Sequence, residues 1–207
     1  HILVEPQRTN LITYSEDFSN SFWNKGSLTA TSGQLSPKGD VGAYKLVGNG
    51  TAAFKYLEFT SPLTNALNYT FSVFAKKDTL DYIQLIGSGA FLQNHQNFDL
   101  VNGSIGTNSN VVSSEIKEYP NGWYKCSVTL LANSTLNTNF YIVLANSASM
   151  GRAVGFTTLG SVYVSMAQLE VGSFPTSYIP NYGTALGVTR SAETANNSGD
   201  ASTFNDS

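Results

Sequence analysis

The stretch NGWYKCSVTL, residues 121–130, follows a turn signal with a regular alternation of side chains. One phase comprises Tyr124, Cys126, Val128 and Leu130. The other phase comprises Trp123, Lys125, Ser127 and Thr129. Successive side chains of a β-strand point to opposite faces, so this alternation predicts a strand with its first phase in a core. Asn-Gly readily adopts positive φ, which predicts the turn that leads into the strand.

Eight further segments show short strand patterns with turn signals between them. With the first strand, the predicted set is 43–47, 54–59, 69–76, 82–86, 96–100, 111–116, 123–131, 139–144 and 161–169. Nine short strands in 207 residues predict an all-β fold of the β-sandwich or jelly-roll type. Residues 1–190 form the predicted domain. Residues 191–207 lose almost all apolar content and are predicted to be a linker or a disordered tail.

The composition excludes several classes of function. The formal net charge is -3 at pH 7, so there is no basic field that would collect phosphates, and nucleic acid is not an expected partner. The apolar runs are short and interrupted, so membrane insertion is not expected. The single cysteine, Cys126, can form no internal disulfide and is predicted to be a buried, unreactive thiol.

The non-core phases of four predicted strands share an unusual character. They carry aromatic rings at Phe74, Tyr82, Trp123 and Tyr141. Amides, hydroxyls and lysines lie among these rings, whereas a merely solvated sheet face gains nothing from exposed aromatic area. Rings stack on the C–H faces of sugars while amides and cations bind hydroxyls or acidic groups, so these faces predict a glycan-binding surface.

The predicted site combines stacking platforms with polar contacts. The platforms are Phe74, Tyr82 and Tyr141, and the polar contacts are Lys76, Gln84, His95 and Lys125. Two lysines on one face favour an anionic polysaccharide, although lysine on an exposed strand also limits aggregation. Two alternatives stay open. The rings could be covered by a loop and belong to the core, or they could anchor a neighbouring subunit or domain in self-association.

Catalytic patterns are missing from the sequence. No spacing of Asp or Glu sets up the facing pair of carboxylates that a glycosidase needs, and no G-x-S-x-G motif occurs. One cysteine and two histidines cannot form a metal cluster. The sequence therefore predicts a protein that is not an enzyme and requires no cofactor, with a structural calcium ion left open because turn carboxylates and carbonyls could hold one.

Five stretches carry a resemblance to a known family. They are ILVEPQRTNLITYSEDFSNSFW (2–23), YTFSVFAKK (69–77), FDLVNGSIG (98–106), YPNGWYKCSVTL (119–130) and MAQLEVGSFPTSYIPNYGTALGVTRSAE (166–193). In this order they resemble a β-sandwich domain of bacteriophage tail-fibre, spike and other virion surface proteins. The segment QLEVGSFPTSYIP, residues 168–180, is the most specific of these motifs.

The resemblance implies a jelly-roll β-sandwich of two antiparallel sheets that is similar to carbohydrate-binding modules. It implies adhesion to a polysaccharide, a location on the virion surface or outside the cell, and a further module after the tail that follows Arg190. Trp23 and Trp123 lie inside the family motifs, which implies a structural role for both. Similar modules often hold Ca²⁺ between the first and last strands through an acidic residue, whereas this sequence has Ser-Met-Ala-Gln at residues 165–168.

Overall fold

The computed structural model describes residues 4–193, which form fourteen β-strands numbered here in chain order. Sheet I has the spatial order β10 (Ser113–Tyr119), β11 (Trp123–Leu131), β6 (Asn68–Lys77), β13 (Gly160–Val171), β4 (Ala43–Gly48) and β3 (Leu28–Gln34). Sheet II has the order β2 (Asn24–Gly26), β5 (Tyr56–Pro62), β12 (Asn137–Ala145), β7 (Tyr82–Gly87), β8 (His95–Asp99) and β9 (Ser104–Ser109). A short pair joins β1 (Arg8–Asn10) to β14 (Val188–Arg190).

The connections between the two sheets identify the fold. The chain passes from one sheet to the other at each step from β4 to β7, and again from β11 to β13. The central strands are thereby interleaved as β11-β6-β13-β4 in sheet I and β5-β12-β7-β8 in sheet II, with every strand pair antiparallel. This is the jelly-roll arrangement of eight strands, and it confirms the predicted fold class.

The core lies between the sheets and is formed by the phases that the sequence assigned to it. Phe71 and Val73 of β6, Ile83 of β7 and Ile142 of β12 are fully buried there. In β11, Cys126, Val128 and Leu130 are buried, and Tyr124 packs on the core from its edge. All nine predicted strands are present, and the turn before β11 has positive φ at Asn121 (63°) and Gly122 (74°).

The structure adds five strands that the sequence did not predict. These are β1, β2, β3, β9 and β14, three of them only three residues long. Pairing of β1 with β14 brings Arg8 opposite Arg190, so the chain enters and leaves the sandwich at one place. Of the predicted tail, residues 194–207 lie outside the described part, so the tail stays a prediction.

The position of Cys126 gives a first prediction. Its side chain is fully buried, and burial raises the pKa of its thiol well above the ordinary value. Since the thiolate is the reactive form, we expect iodoacetamide to leave the native protein unmodified at pH 8 and to alkylate it in denaturant. Mass spectrometry measures the added group. Alkylation of the native protein at the rate of the unfolded protein would contradict this burial.

Candidate functional site

The jelly roll distributes the predicted site residues over two opposite surfaces. Phe74, Lys76 and Lys125 lie on β6 and β11 of sheet I, on the side away from the core. Tyr82, Gln84, His95 and Tyr141 lie on β7, β8 and β12 of sheet II. The outer surfaces of a two-layer sandwich point in opposite directions. The expectation that these residues line one open sheet face is therefore wrong.

On sheet I, the predicted contacts Phe74 and Lys125 are covered by the segment 172–182, called here the strap. Phe74 is 5% exposed and packs with Trp123 and Met166, against which Tyr178 of the strap also packs. The Nζ of Lys125 donates a hydrogen bond of 2.6 Å to the carbonyl of Thr176. The burial of Lys125 lowers the pKa of its ammonium. Phe74 is closed to a ligand, which corrects its predicted role as a stacking platform. Lys125 still lines a depression beside the strap with Lys117, but its ammonium is already bound by the Thr176 carbonyl, so it is not the open contact that the sequence predicted.

A buried carboxylate fastens the strap to sheet I. Glu170 of β13 is fully buried, and its two oxygens accept hydrogen bonds from the backbone N–H of Thr176 (2.9 Å) and from the hydroxyl of Thr176 (2.7 Å). It also accepts one from Nε2 of Gln168 (2.8 Å) and pairs with Nε of Arg8 at 3.4 Å. A carboxylate with this many donors is well compensated in a dry site.

Lys76 remains half-buried on sheet I. It lies opposite Tyr163 and lines a shallow depression with Gln34 and Leu35. This depression lies on the side of the sandwich away from Tyr141. Lys76 therefore cannot contribute to the same site as the residues of sheet II.

On sheet II, Gln84 is a structural residue rather than an open contact. It is fully buried under the segment 146–156, called here the clamp loop. Its Nε2 donates to the carbonyls of Met150 (3.2 Å) and Gly151 (3.2 Å), and its Oε1 accepts from the N–H of Ala153 (2.9 Å). Asn97 of β8 adds a hydrogen bond from Nδ2 to the Met150 carbonyl at 2.7 Å. The two amides fix the clamp loop on the outer surface of sheet II.

These contacts give a second prediction. In Gln84→Glu, a carboxylate replaces an amide whose NH₂ group faces three oxygens, Oδ1 of Asn97 (2.8 Å) and the carbonyls of Met150 and Gly151, so we expect a loss of about 3 kcal/mol in the free energy of unfolding at pH 7. Burial should raise the pKa of the new carboxyl above its unfolded value, so the loss should shrink as the pH falls toward 4 and the group is protonated. Urea denaturation at pH 4 and 7 measures this. A loss that is equal at both pH values would contradict it.

Tyr82 is half-buried at the start of β7 and packs on the margin of the core. It pairs with Ala145, whereas Tyr141 pairs with Ile86 on the same ladder. Four residues of strand separate the two positions, or about 13 Å. The clamp loop lies over Gln84 between them, so Tyr82 does not join Tyr141 in one cluster of rings.

A cluster of three half-buried rings is present around Tyr141. The rings of Phe54 and Tyr56 are stacked with centroids 4.5 Å apart, and Tyr141 meets Tyr56 edge to face at 5.4 Å. A Cβ at Gly26 would lie 2.1 Å from Cε1 of Tyr56, so glycine in β2 lets the Tyr56 ring lie across that strand. With the polar residues beside them, these rings form what we call the aromatic face: Phe54, Tyr56, Glu58, Asn139, Tyr141 and Arg152.

The polar groups of the aromatic face are held in place by neighbours. Nδ2 of Asn24 donates to Oε2 of Glu58 at 2.7 Å, and Nδ2 of Asn139 donates to the Tyr141 hydroxyl at 3.3 Å. Oγ1 of Thr60 donates to Oδ1 of Asn139 at 2.8 Å. Burial raises the pKa of the Tyr141 phenol, which therefore stays protonated at neutral pH. The face presents rings together with oriented donors and acceptors.

Arg152 reaches the aromatic face from the clamp loop. It lines a small depression with Tyr141, Phe54 and Ser88, and its Nε donates to the carbonyl of Asn94 at 2.9 Å. His95 is half-buried at the start of β8, and its Nδ1 is buried without a hydrogen-bond partner within residues 4–193. Burial, with a further contribution from the charge of Arg152, lowers the pKa of the His95 imidazole, which is therefore neutral at pH 7.

Sequence reasoning found Tyr141 and missed the rest of the aromatic face. Phe54, Tyr56 and Glu58 occupy alternate positions of the predicted strand 54–59, which in the structure begins at Tyr56. Their phase is opposite to that of the core residues Leu57 and Phe59, and this alternation could have assigned them to the outer surface. Arg152 lies in the segment MGRAVG, which has no strand pattern that would assign it to a surface. Across the described residues 4–193, no group of three or more His, Cys, Asp or Glu could hold a metal ion, and no helix is long and apolar enough to span a membrane.

Comparison with known proteins gives likenesses among solved structures alone. No family model matches, and no curated protein matches. The enzymatically active domain of tailspike protein 4 from bacteriophage CBA120 is 12% identical, with a TM-score of 0.43 over 79% of this chain and 21% of that one. The xylanase 10B modules CBM22-1 and GH10 of Clostridium thermocellum, complexed with xylohexaose, are 15% identical, with a TM-score of 0.44 over 86% and 30%.

A third likeness is TmCBM61 in complex with β-1,4-galactotriose, at 12% identity and a TM-score of 0.42 over 77% of this chain and 97% of that one. This chain thus spans less than a third of the tailspike and xylanase chains that it matches. Likenesses at these scores establish neither kinship nor a shared ligand. The resemblance to virion surface proteins stays a prediction from the sequence motifs.

Proposed function

We propose that this protein is a non-catalytic glycan-binding module that holds a polysaccharide on the aromatic face. The observation that carries the proposal is the cluster of Phe54, Tyr56 and Tyr141, whose rings pack on one another and on the margin of the core while part of their surface stays open. Sugar rings present apolar C–H faces to such rings, and their hydroxyls match the fixed donors and acceptors of Asn139 and Glu58. A location outside the cell or on a virion surface would give such a module access to polysaccharide.

Binding without turnover is favoured by the carboxylate content of this surface. Of the residues that define the aromatic face, Glu58 alone is acidic, and Asn24 already donates to it. Glycoside hydrolysis by the usual mechanisms uses two carboxyl groups that flank the scissile bond. We therefore expect the migration of the protein to be retarded in gels that contain a bound polysaccharide, with no release of reducing sugar.

Affinity electrophoresis against a panel of soluble polysaccharides tests the proposal. The panel contains xylan, mannan, galactan, dextran, polygalacturonate and alginate. Retardation by at least one polymer, with no reducing ends released on long incubation, is the expected result. Migration that is unchanged across neutral and acidic polymers would overturn the proposal.

The alternative from the sequence makes a different prediction for the same surface. If the rings anchor a neighbouring subunit, the protein should form a stable oligomer that Tyr56→Ala dissociates, because aromatic anchors dominate such interfaces. Light scattering of both proteins separates the two functions. A monomer that binds polysaccharide supports the glycan module, and an oligomer that dissociates with the ring change overturns it.

A further inference from the structure

Among the described residues 4–193, Arg152 differs from the two other arginines in having no carboxylate within ion-pair distance. Arg8 pairs with Glu170, and Arg190 pairs with Glu5 at 2.6 Å. Within residues 4–193, Arg152 takes part in no ion pair, and its one hydrogen bond as donor runs from Nε to the Asn94 carbonyl. A half-buried guanidinium without a carboxylate is an arrangement that an anionic ligand would complete.

The guanidinium is held in a fixed position beside the rings. The backbone on either side of Arg152 is bound by the Gln84 amide, through the carbonyl of Gly151 and the N–H of Ala153. Asn94, whose carbonyl receives Nε, is itself buried and exchanges two hydrogen bonds of 2.8 Å with the backbone of Gly87. These contacts use Nε and leave the Nη1 and Nη2 edge to meet a ligand. A preorganised group loses little freedom on binding, so it contributes more to affinity.

Of the residues that define the aromatic face, Arg152 is the one cation, so an acidic group bound there would pair with it. His95 is the titratable neighbour whose charge would compete for the same ligand, and it is neutral at pH 7. Glu58 is the carboxylate of the aromatic face, and Asn24 holds its Oε2. The whole chain has a net charge of -3, so a polyanion gains nothing from the overall field. Any preference for an acidic polymer would therefore have to come from a specific contact.

We propose that Arg152 forms an acid-recognising subsite that binds the carboxylate or sulfate of a sugar residue adjoining the one stacked on Tyr141. This inference rests on the proposed glycan-binding function and names its substrate class, an acidic polysaccharide. The planar guanidinium pairs with a carboxylate or a sulfate through two parallel hydrogen bonds, whereas an uncharged hydroxymethyl group offers it a single acceptor. It replaces the sequence argument from Lys125, whose ammonium is taken up by the strap.

Matched polymers test the inference with the full chain. Polygalacturonate is compared with its methyl ester, and dextran sulfate with dextran, so that each pair differs in charge on one backbone. We expect the wild-type protein to bind the acidic member of at least one pair at least about tenfold more tightly. Arg152→Gln should remove that preference, and Arg152→Lys, which keeps the charge but not the planar fork, should retain only part of it. The pair that shows the preference identifies carboxylate or sulfate as the recognised group.

Lys76→Gln is the matched control, because it removes one accessible positive charge from the opposite side of the sandwich. It should leave the preference within about twofold of wild type, and thermal melting should show that all variants are folded. Binding of a neutral polymer without any acidic preference would overturn the inference and leave the proposed function standing. A preference that survives Arg152→Gln would overturn it as well, and failure to bind any polymer would overturn both.

Discussion

Glu170→Ala is expected to lower the free energy of unfolding by about 3–5 kcal/mol, because it removes the buried carboxylate that fastens the strap. Thr176 would lose both of its hydrogen-bond acceptors, and Arg8 would keep a charge without a partner. In a domain of this size, a change of this magnitude lowers the melting temperature by roughly 6–20 °C. Differential scanning calorimetry of the variant and the wild-type protein measures the difference.

The control for this change is Glu118→Ala. Glu118 lies on β10 with an exposed side chain, so its removal should alter the free energy of unfolding by no more than about 0.5 kcal/mol. Loss of the strap should also uncover Phe74 and Trp123, which predicts faster proteolysis within residues 172–182 of the Glu170 variant. If the Glu170 variant had the same melting temperature as the Glu118 variant, the stability of the strap would not depend on the buried carboxylate.

Tyr141→Ala is expected to weaken polysaccharide binding at least about tenfold while the protein stays folded. The ring meets both Phe54 (6.4 Å between centroids) and Tyr56, so its removal takes away one stacking surface and loosens the other two. Its hydroxyl is also one of the oriented polar groups of the aromatic face. Isothermal titration with the polymer that gives the strongest retardation measures the loss.

Tyr163→Ala serves as the matched control for Tyr141→Ala. Tyr163 is also a half-buried strand tyrosine, but it lies on sheet I opposite Lys76 and near the ammonium of Lys45. We expect its removal to leave the affinity within about twofold of wild type. Equal losses in the two variants would show that binding does not use the aromatic face.

The strands of this fold were predictable where they are long and have one face in the core. Alternation assigned Phe71, Val73 and Ile142 to the interior, and all three are fully buried. The three-residue strands β1, β2 and β14 are too short to show a period, and β9 has one apolar side chain in six residues. They form because a neighbouring strand offers unpaired backbone groups, which a local pattern cannot reveal.

The candidate site was harder to predict, because alternation tells which side chains leave the core and not what covers them. The side chains of Phe74 and Lys125 point away from the core, and the strap, some fifty residues beyond Lys125 in the sequence, buries both. The side chain of Gln84 also points away from the core and is buried by Ala153, 69 residues later in the sequence, and by the neighbours of Ala153. Alternation is also silent on sheet membership, so the sequential strands β6 and β7 appeared to share a face although they lie in different layers.

The pairing of β1 with β14 determines how the protein would respond to tension. Arg8 lies opposite Arg190, and the segments before and after them stay joined by the N–H of Glu193, which donates to the Glu5 carbonyl at 2.9 Å, and by the Arg190–Glu5 ion pair. Pulling those segments apart would load the pair like a zipper, one hydrogen bond at a time, instead of shearing all its bonds together. Tension between the two segments would therefore open these contacts and the three-residue pair first, because the six-stranded sheets are held by longer strand pairs. The short strands would open under such a load and could pair again when the load is released.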